Sequence, residues 1–360
     1  MKKILILCLL LAAQYSNAQA IKLNIDATRV VYNSLYHKAF VAVDTYDPLY
    51  PKSILQIDPL AGTVEKHISL PGIPFIIRQT TDLKYLFVSY QYQPDILKIK
   101  LDDFTIADNI MTNELDVLDF AVKPADNNTL VVIRGDGGYP DDMVMYKDGI
   151  LQPKQERTDS DLFSALCFKN DGSRLYAHNR VSTGFEGRLV NILDDGVEFT
   201  GKTWDYMIPA FSFIKNHNDL LYDQSGDFID LFSDSIPKQI AQIPIYKITE
   251  YSRTGSEYSD IHGCYVFGHA IDYKGYISFF HGEHYNYLGS FALPGQVEMI
   301  YDLAVVDYDH FIVVALGYSG ENNFLLLFTG NSKDKMALPA RPATLKQREN
   351  PGNPWGNSRR

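Results

Sequence analysis

"SILQIDPLAGTVEKHISLPGIP", residues 53 to 74, holds two short apolar runs hinged on Pro59 and Gly62 and stopped by PGIP. Short runs rich in β-branched side chains, separated by Pro, Gly and Asp, are strand segments joined by a tight turn. The fold hangs on whether this hairpin stands alone or is one copy of a repeat, because a period of roughly 20–50 residues marks a solenoid or a propeller.

The chain repeats it. "HKAFVAV" at 37, "LKYLFVSY" at 83, "NNTLVVIR" at 127, "GSRLYAHN" at 172, "HNDLLYDQ" at 217, "HGCYVFGH" at 262 and "YDHFIVVA" at 308 are each a polar turn feeding a β-type run. Aligning Phe40, Leu86, Leu130, Leu175, Leu220, Tyr265 and Phe311 gives steps of 46, 44, 45, 45, 45 and 46. A run such as "PFIIRQT" or "VLDFAVKP" precedes the turn, a third such as "SILQID" or "NFLLLFTG" follows, and a less regular fourth such as "TVEKHISL" closes the unit. Four strands per unit of about 45 residues predicts an all-β, seven-bladed β-propeller of four-stranded antiparallel blades. In a ring each blade covers both faces of its neighbours, which accounts for continuous apolar runs such as "FIVVAL" where a half-exposed strand would alternate. Either "IKLNIDATRV" near the start or the run at 334–338 is available to close the ring.

"IDPLAG" at 57–62, "TDLKYLFV" at 81–88 and "NDGSRLYA" at 170–177 resemble the repeats of YVTN-type seven-bladed propellers, although the literal tetrapeptide is absent. The resemblance implies a fold. Similar propellers include a lactone hydrolase, dehydrogenase subunits and surface proteins without known chemistry, so no residue role is carried over.

The ends differ from the middle. "MKKILILCLLLAAQYSNAQA" has a basic start, an apolar run from Ile4 to Ala13 and small residues at Ser16 and Ala18, the pattern of a secretory signal over residues 1–20, cleaved after Ala18 or Ala20. That run is half the roughly 20 residues that a membrane span needs. The protein is expected to be exported, periplasmic or extracellular, without membrane insertion. The propeller is expected over 21–338 and a basic, Pro- and Asn-rich flexible tail over 339–360.

The formal charge is −11; without Lys2 and Lys3 it is −13, divided into about −17 for the body and +4 for the tail. Such a surface offers no face for nucleic acid. A composition of 46% hydrophobic and 13% aromatic residues, with 24 Tyr and 20 Phe, is that of a strand-rich globular chain and excludes disorder for the body. Cys167 and Cys264 fall in non-neighbouring units and are expected as free buried thiols.

Propeller ligands meet one end of the central channel, where the second-to-third-strand loops and the loops entering the first strand converge. Here these carry Tyr46, Tyr50, Tyr90, Tyr92, Asp136, Tyr139, Asp142, Tyr206, Tyr251, Arg253, Tyr273 and Tyr318, with Asp44, Asp47 and Asp141 beside them. Tyrosine offers a stacking face and a hydroxyl at low entropic cost, so an aromatic and acidic rim suits a protein or carbohydrate ligand. The plain alternative is that tyrosine simply marks hairpin ends.

Other motifs are weaker. His281 and His284 have zinc-like spacing but sit at an outer turn without a third ligand. "RGDGGYPDD" reads as a glycine hairpin before an adhesion triplet, and Asp136, Asp141 and Asp142 lack calcium-loop spacing. No G-x-S-x-G, P-loop or dinucleotide fingerprint is present. The reading is a monomeric ligand- or protein-binding propeller without cofactor or metal. The alternative is a lactonase-like hydrolase or lyase acting on a sugar or lactone through channel carboxylates and His. A third role has the basic tail docking the propeller on a larger complex.

Overall fold

A computed structural model of the protein describes residues 19–158, 163–179, 187–204, 214–223, 227–230, 238–242, 255–317 and 323–329. They form seven antiparallel sheets and no helix. Blade 1 consists of Ala27–Asn33, Lys38–Val43, Ser53–Asp58 and Thr63–Ser69, paired in that order. Blades 2 to 6 repeat the order, starting at Pro74, Asp116, Phe163, Ile214 and Gly255. The opening stretch is therefore the outer half of blade 1. In blade 3 the outer position is shared by Ile150–Leu151 and Glu156–Arg157.

Blade 7 closes the ring. Val297–Val305, His310–Gly317 and Asn323–Thr329 are completed by Gln19–Leu23, with Ile21 opposite Leu327. Closure uses the N-terminal strand, which starts two residues before the expected boundary at 21; residues 330–338 lie outside the described residues.

The middle strands are buried on both faces, as Lys38–Val43 and Asn323–Thr329 show, whereas the outer strand Thr63–Ser69 is largely exposed. Apolar clusters fill the junctions between sheets. Phe40, Ala42 and Ile54 of blade 1 meet Leu86, Val88 and Ile99 of blade 2, and Phe311 and Val313 of blade 7 meet Val266 and Phe279 of blade 6. Each such side chain contributes roughly 1.5–3 kcal/mol by leaving water. Leu86, Leu130, Leu175, Tyr265 and Phe311 all face the preceding blade. Phe40 and Leu220 face the following one, so the counterpart of Phe40 is Ala39: a one-residue offset in the repeat alignment exchanges the two faces of a strand.

The first strands lie on the inner edges of the sheets and contact one another around the axis. Their edge N–H groups have no further strand to pair with, and carboxylates satisfy several of them. Asp119 Oδ2 accepts the Leu166 N–H at 2.7 Å, Asp302 Oδ2 the Val30 N–H at 3.1 Å, and Glu257 Oε2 the Val305 N–H at 2.9 Å, each across a blade junction. Asp119 and Asp302 both follow a bulge in the first strand, which turns their side chains along the edge. Nearer the first-to-second-strand turns, the Asn33 amide donates to Gln79 Oε1 and to the Leu83 carbonyl, both at 2.8 Å.

Candidate functional site

Second-to-third-strand turns and fourth-to-first connections emerge at the same end of the ring. Among the described residues five tyrosines are strongly exposed, and four of them, Tyr46, Tyr92, Tyr139 and Tyr273, lie at this end, in blades 1, 2, 3 and 6. Tyr308, in a first-to-second-strand turn, is the fifth. Two of the four sit in strained backbone: Tyr92 has φ 53° and Tyr273 φ 60°, and Asp272 before it has φ 49°. Left-handed conformation is costly for a bulky side chain, and the short Asp272–Tyr273 hairpin would ordinarily hold Asn-Gly. Blade 3 uses Gly137 and Gly138 at the same place and puts Tyr139 just after them.

Carboxylates accompany each ring. Asp44 and Asp47 flank Tyr46, Asp95 follows Tyr92, Asp136 pairs in register with Tyr139, and Asp272 precedes Tyr273. Asp116 is pushed above the usual carboxylate range by burial and by repulsion from Asp136. Asp26 is raised by burial and by Asp44 and Asp47, while hydrogen bonds from Asn323 oppose the rise. Asp26 and Asp47 line a cleft of about 380 Å³ at the seam of blades 7 and 1, together with Lys22, Asn24, Asn323 and Phe324.

Other predicted positions serve the fold. Tyr90 is 2% exposed, packs in the core between blades 1 and 2, and is pushed up to about 12 by burial, so it is not available to a rim ligand. Asp142 holds the buried Arg134 in a two-pronged ion pair, Oδ1 to Nε at 2.9 Å and Oδ2 to Nη2 at 2.6 Å, while Arg134 Nη1 donates to Tyr146 Oη and the Thr112 carbonyl. This buries the Arg of the Arg-Gly-Asp triplet and separates Asp142 from Asp136 and Asp141. Tyr50 is half-buried, donates its N–H to Asp47 Oδ1 at 2.7 Å and leans on His67 with ring centroids 5.4 Å apart. Asp136 is exposed. Tyr206, Tyr251, Arg253 and Tyr318 lie outside the described residues.

Arg78, Asp119, Lys215, Glu257 and Asp302 stand on the inner strands, and sequence reasoning passed over all five as site candidates. The signal was a charge inside an apolar run, as in "VLDFAV" and "YDLAVV", since such a charge needs a partner. The partners are backbone N–H groups, Arg78 on Asp119 at 3.0 Å, and the Ser256 carbonyl accepting from Lys215 Nζ. Burial lifts Glu257 to about 7, against the opposing pull of Lys215. The carboxylates of Asp119 and Asp302 each also accept the following residue's N–H, and Asp119 is further engaged by Arg78. They act as ring staples.

His281 Nδ1 accepts the N–H groups of Glu283 and His284 and its ring stacks on His284 at 4.9 Å, capping an outer turn. No group of three metal-ligating side chains occurs among the described residues. Cys167 and Cys264 are both pushed up to about 12 by burial, which leaves them unreactive as nucleophiles.

No family model and no curated protein matches the chain. Among solved structures, the β-propeller domain of Cps50 (Swd1) from Myceliophteria thermophila is similar, with a TM-score of 0.59 and 11% identity over 87% of this chain and 98% of that one. At that identity the likeness concerns the backbone alone, and it agrees with the seven sheets: the chain has the β-propeller fold.

Proposed function

We propose that this protein is an exported binding propeller that takes a protein or carbohydrate ligand on the rim formed by Tyr46, Tyr92, Tyr139 and Tyr273 and the carboxylates beside them. The observation that carries the reading is the concentration of four of the five exposed tyrosines at one end, two of them in a backbone conformation that bulky residues avoid. Exposed aromatic rings on short turns lose little freedom when a ligand covers them. The YVTN-type resemblance supports the architecture and adds no role. Asp119, which an enzyme reading would recruit, is already engaged by two backbone N–H groups and Arg78, which supports a structural role for it over a catalytic one.

The test is the chain carrying Y46A, Y92A, Y139A and Y273A together. Partners captured by the intact protein, or glycans it retains on an array, should be lost while the thermal unfolding profile is kept. Undiminished capture by a folded quadruple variant refutes the rim.

A further inference from the structure

What sets the rim end apart is that its unpaired carboxylates lie next to exposed tyrosines in the chain. At the end with the first-to-second and third-to-fourth-strand turns, Lys38 holds Asp58 and Glu65, Lys100 holds Asp102 and Lys169 holds Asp171, while Asp148, Asp194 and Asp195 have no ion pair among the described residues and no exposed tyrosine beside them. At the rim end, no ion pair among the described residues reaches Asp44, Asp95, Asp116, Asp136 or Asp141, and the ion-paired acid there is Asp142, on the buried Arg134. The tyrosines stand beside the uncompensated charges. A π-face next to an unpaired carboxylate suits a guanidinium or ammonium group, which stacks on one and pairs with the other.

One segment of the chain has that chemistry. Residues 339–360 carry Arg341, Lys346, Arg348, Arg359 and Arg360 against Glu349 alone. The last described strand, Asn323–Thr329, runs away from the rim and is ~23 Å long at ~3.3 Å per residue. The nine residues 330–338 can span ~30 Å, enough to return along the outer flank of blade 7 to the rim. We propose that the basic segment 339–360 folds back in cis onto the Tyr- and Asp-lined rim, so that the ligand class of this surface is a basic, extended polypeptide and the chain supplies its own resident occupant. The proposal rests on the rim reading above and adds the chemistry of what sits there.

Limited trypsin digestion of the full chain tests it, since Lys346 and Arg348 are cleavage sites inside the segment. At low salt, cleavage there should be at least tenfold slower in the wild type than in a chain carrying D44N, D95N, D136N and D141N, and salt near 0.5 M should remove the difference by screening. A chain with four changes at the other end, D102N, D103N, D194N and D195N, should match the wild type. Zero-length carbodiimide coupling should join Lys346 to rim carboxylates in the monomer. Equal cleavage in all three chains, protection that is lost in the second charge variant instead, or protection that grows with protein concentration each overturns the proposal, the last by making a second copy the occupant. If the tyrosine variant loses partner capture while cleavage of the segment is unaffected by charge, the rim stands and the tail proposal falls.

Discussion

Asp119 of blade 3 accepts the Leu166 N–H of blade 4 through Oδ2 at 2.7 Å, and across the seam of the ring Asp302 of blade 7 does the same for Val30 of blade 1. Both carboxylates also bind the N–H of the residue that follows, and Asp119 further carries Arg78. A group so engaged cannot be removed cheaply, because its loss strands two edge N–H groups and a guanidinium. Asp119→Ala should destabilise the protein by about 3 kcal/mol in denaturant unfolding. Asp302→Ala, without an arginine partner, should cost about 2 kcal/mol. Loss of under ~0.5 kcal/mol in both would rule out the staple role.

Glu257 makes stability depend on pH. Its folded value of about 7 lies above the ordinary 4.5 because burial disfavours the charged form; Lys215 and the Val305 N–H oppose the rise, and Asp302 and Asp260 add to it. A carboxyl raised in the folded state binds its proton more tightly there than in the unfolded chain. Its contribution is therefore complete below about pH 4.5 and is lost as pH climbs through 7. Between pH 5 and 8 this group alone should lower stability by roughly 2–3 kcal/mol. Glu257→Gln should flatten that part of the profile, and a slope unchanged by the substitution would assign it elsewhere.

At the hairpin of blade 6, Tyr273 occupies a left-handed position that glycine fills without strain. Tyr273→Gly should leave stability unchanged or raise it by up to ~1 kcal/mol, while weakening capture of the rim ligand. A fall of more than 1 kcal/mol would show that Tyr273 is held for packing, and the binding role would lose its main support.

Asp136 and Asp142 are six residues apart in one loop and should behave oppositely. Asp142→Ala leaves Arg134 buried without its counter-ion and should cost about 3 kcal/mol. Asp136→Ala, at an exposed position, should change stability by less than about 0.5 kcal/mol and act on ligand capture alone. Thermal unfolding of the two variants side by side separates the roles, and similar losses in both would refute the assignment.

The same loop shows how far the sequence could be read. Seven units were legible because turns rich in Asp, Gly and Asn recur at a near-constant step, and the step together with four strand-like runs per unit points to a ring. The phase within a unit was less legible: Phe40 and Ala39 are adjacent apolar residues, and which one faces blade 2 depends on a turn length that the alignment did not resolve. Tyr90 and Asp142 were placed on the rim because loop membership was judged by the chain. Burial is decided by what lies across the fold, here the core between blades 1 and 2 and the guanidinium of Arg134. Arg134, inside "LVVIRG", was the available hint, since an arginine in an apolar run requires a carboxylate and Asp142 stands opposite it in the hairpin register.

Ring closure bears on where the proposed export signal would be cut. Gln19–Leu23 supplies the outer strand of blade 7, with Gln19 opposite Thr329 and Ala20 opposite Phe328. Cleavage after Ala18 would keep this strand whole, whereas cleavage after Ala20 would remove two of its five register pairs. If the chain is exported as proposed, the mature protein should begin at Gln19, which intact-mass measurement reads directly. A chain beginning at Asn24 should lose the strand altogether and expose the edge of Asn323–Thr329 together with Leu325 and Leu327, which it helps to cover. Such a chain should unfold at markedly lower denaturant or self-associate through the open edge. Unaltered unfolding without Gln19–Leu23 would mean that the ring does not depend on its N-terminal strand.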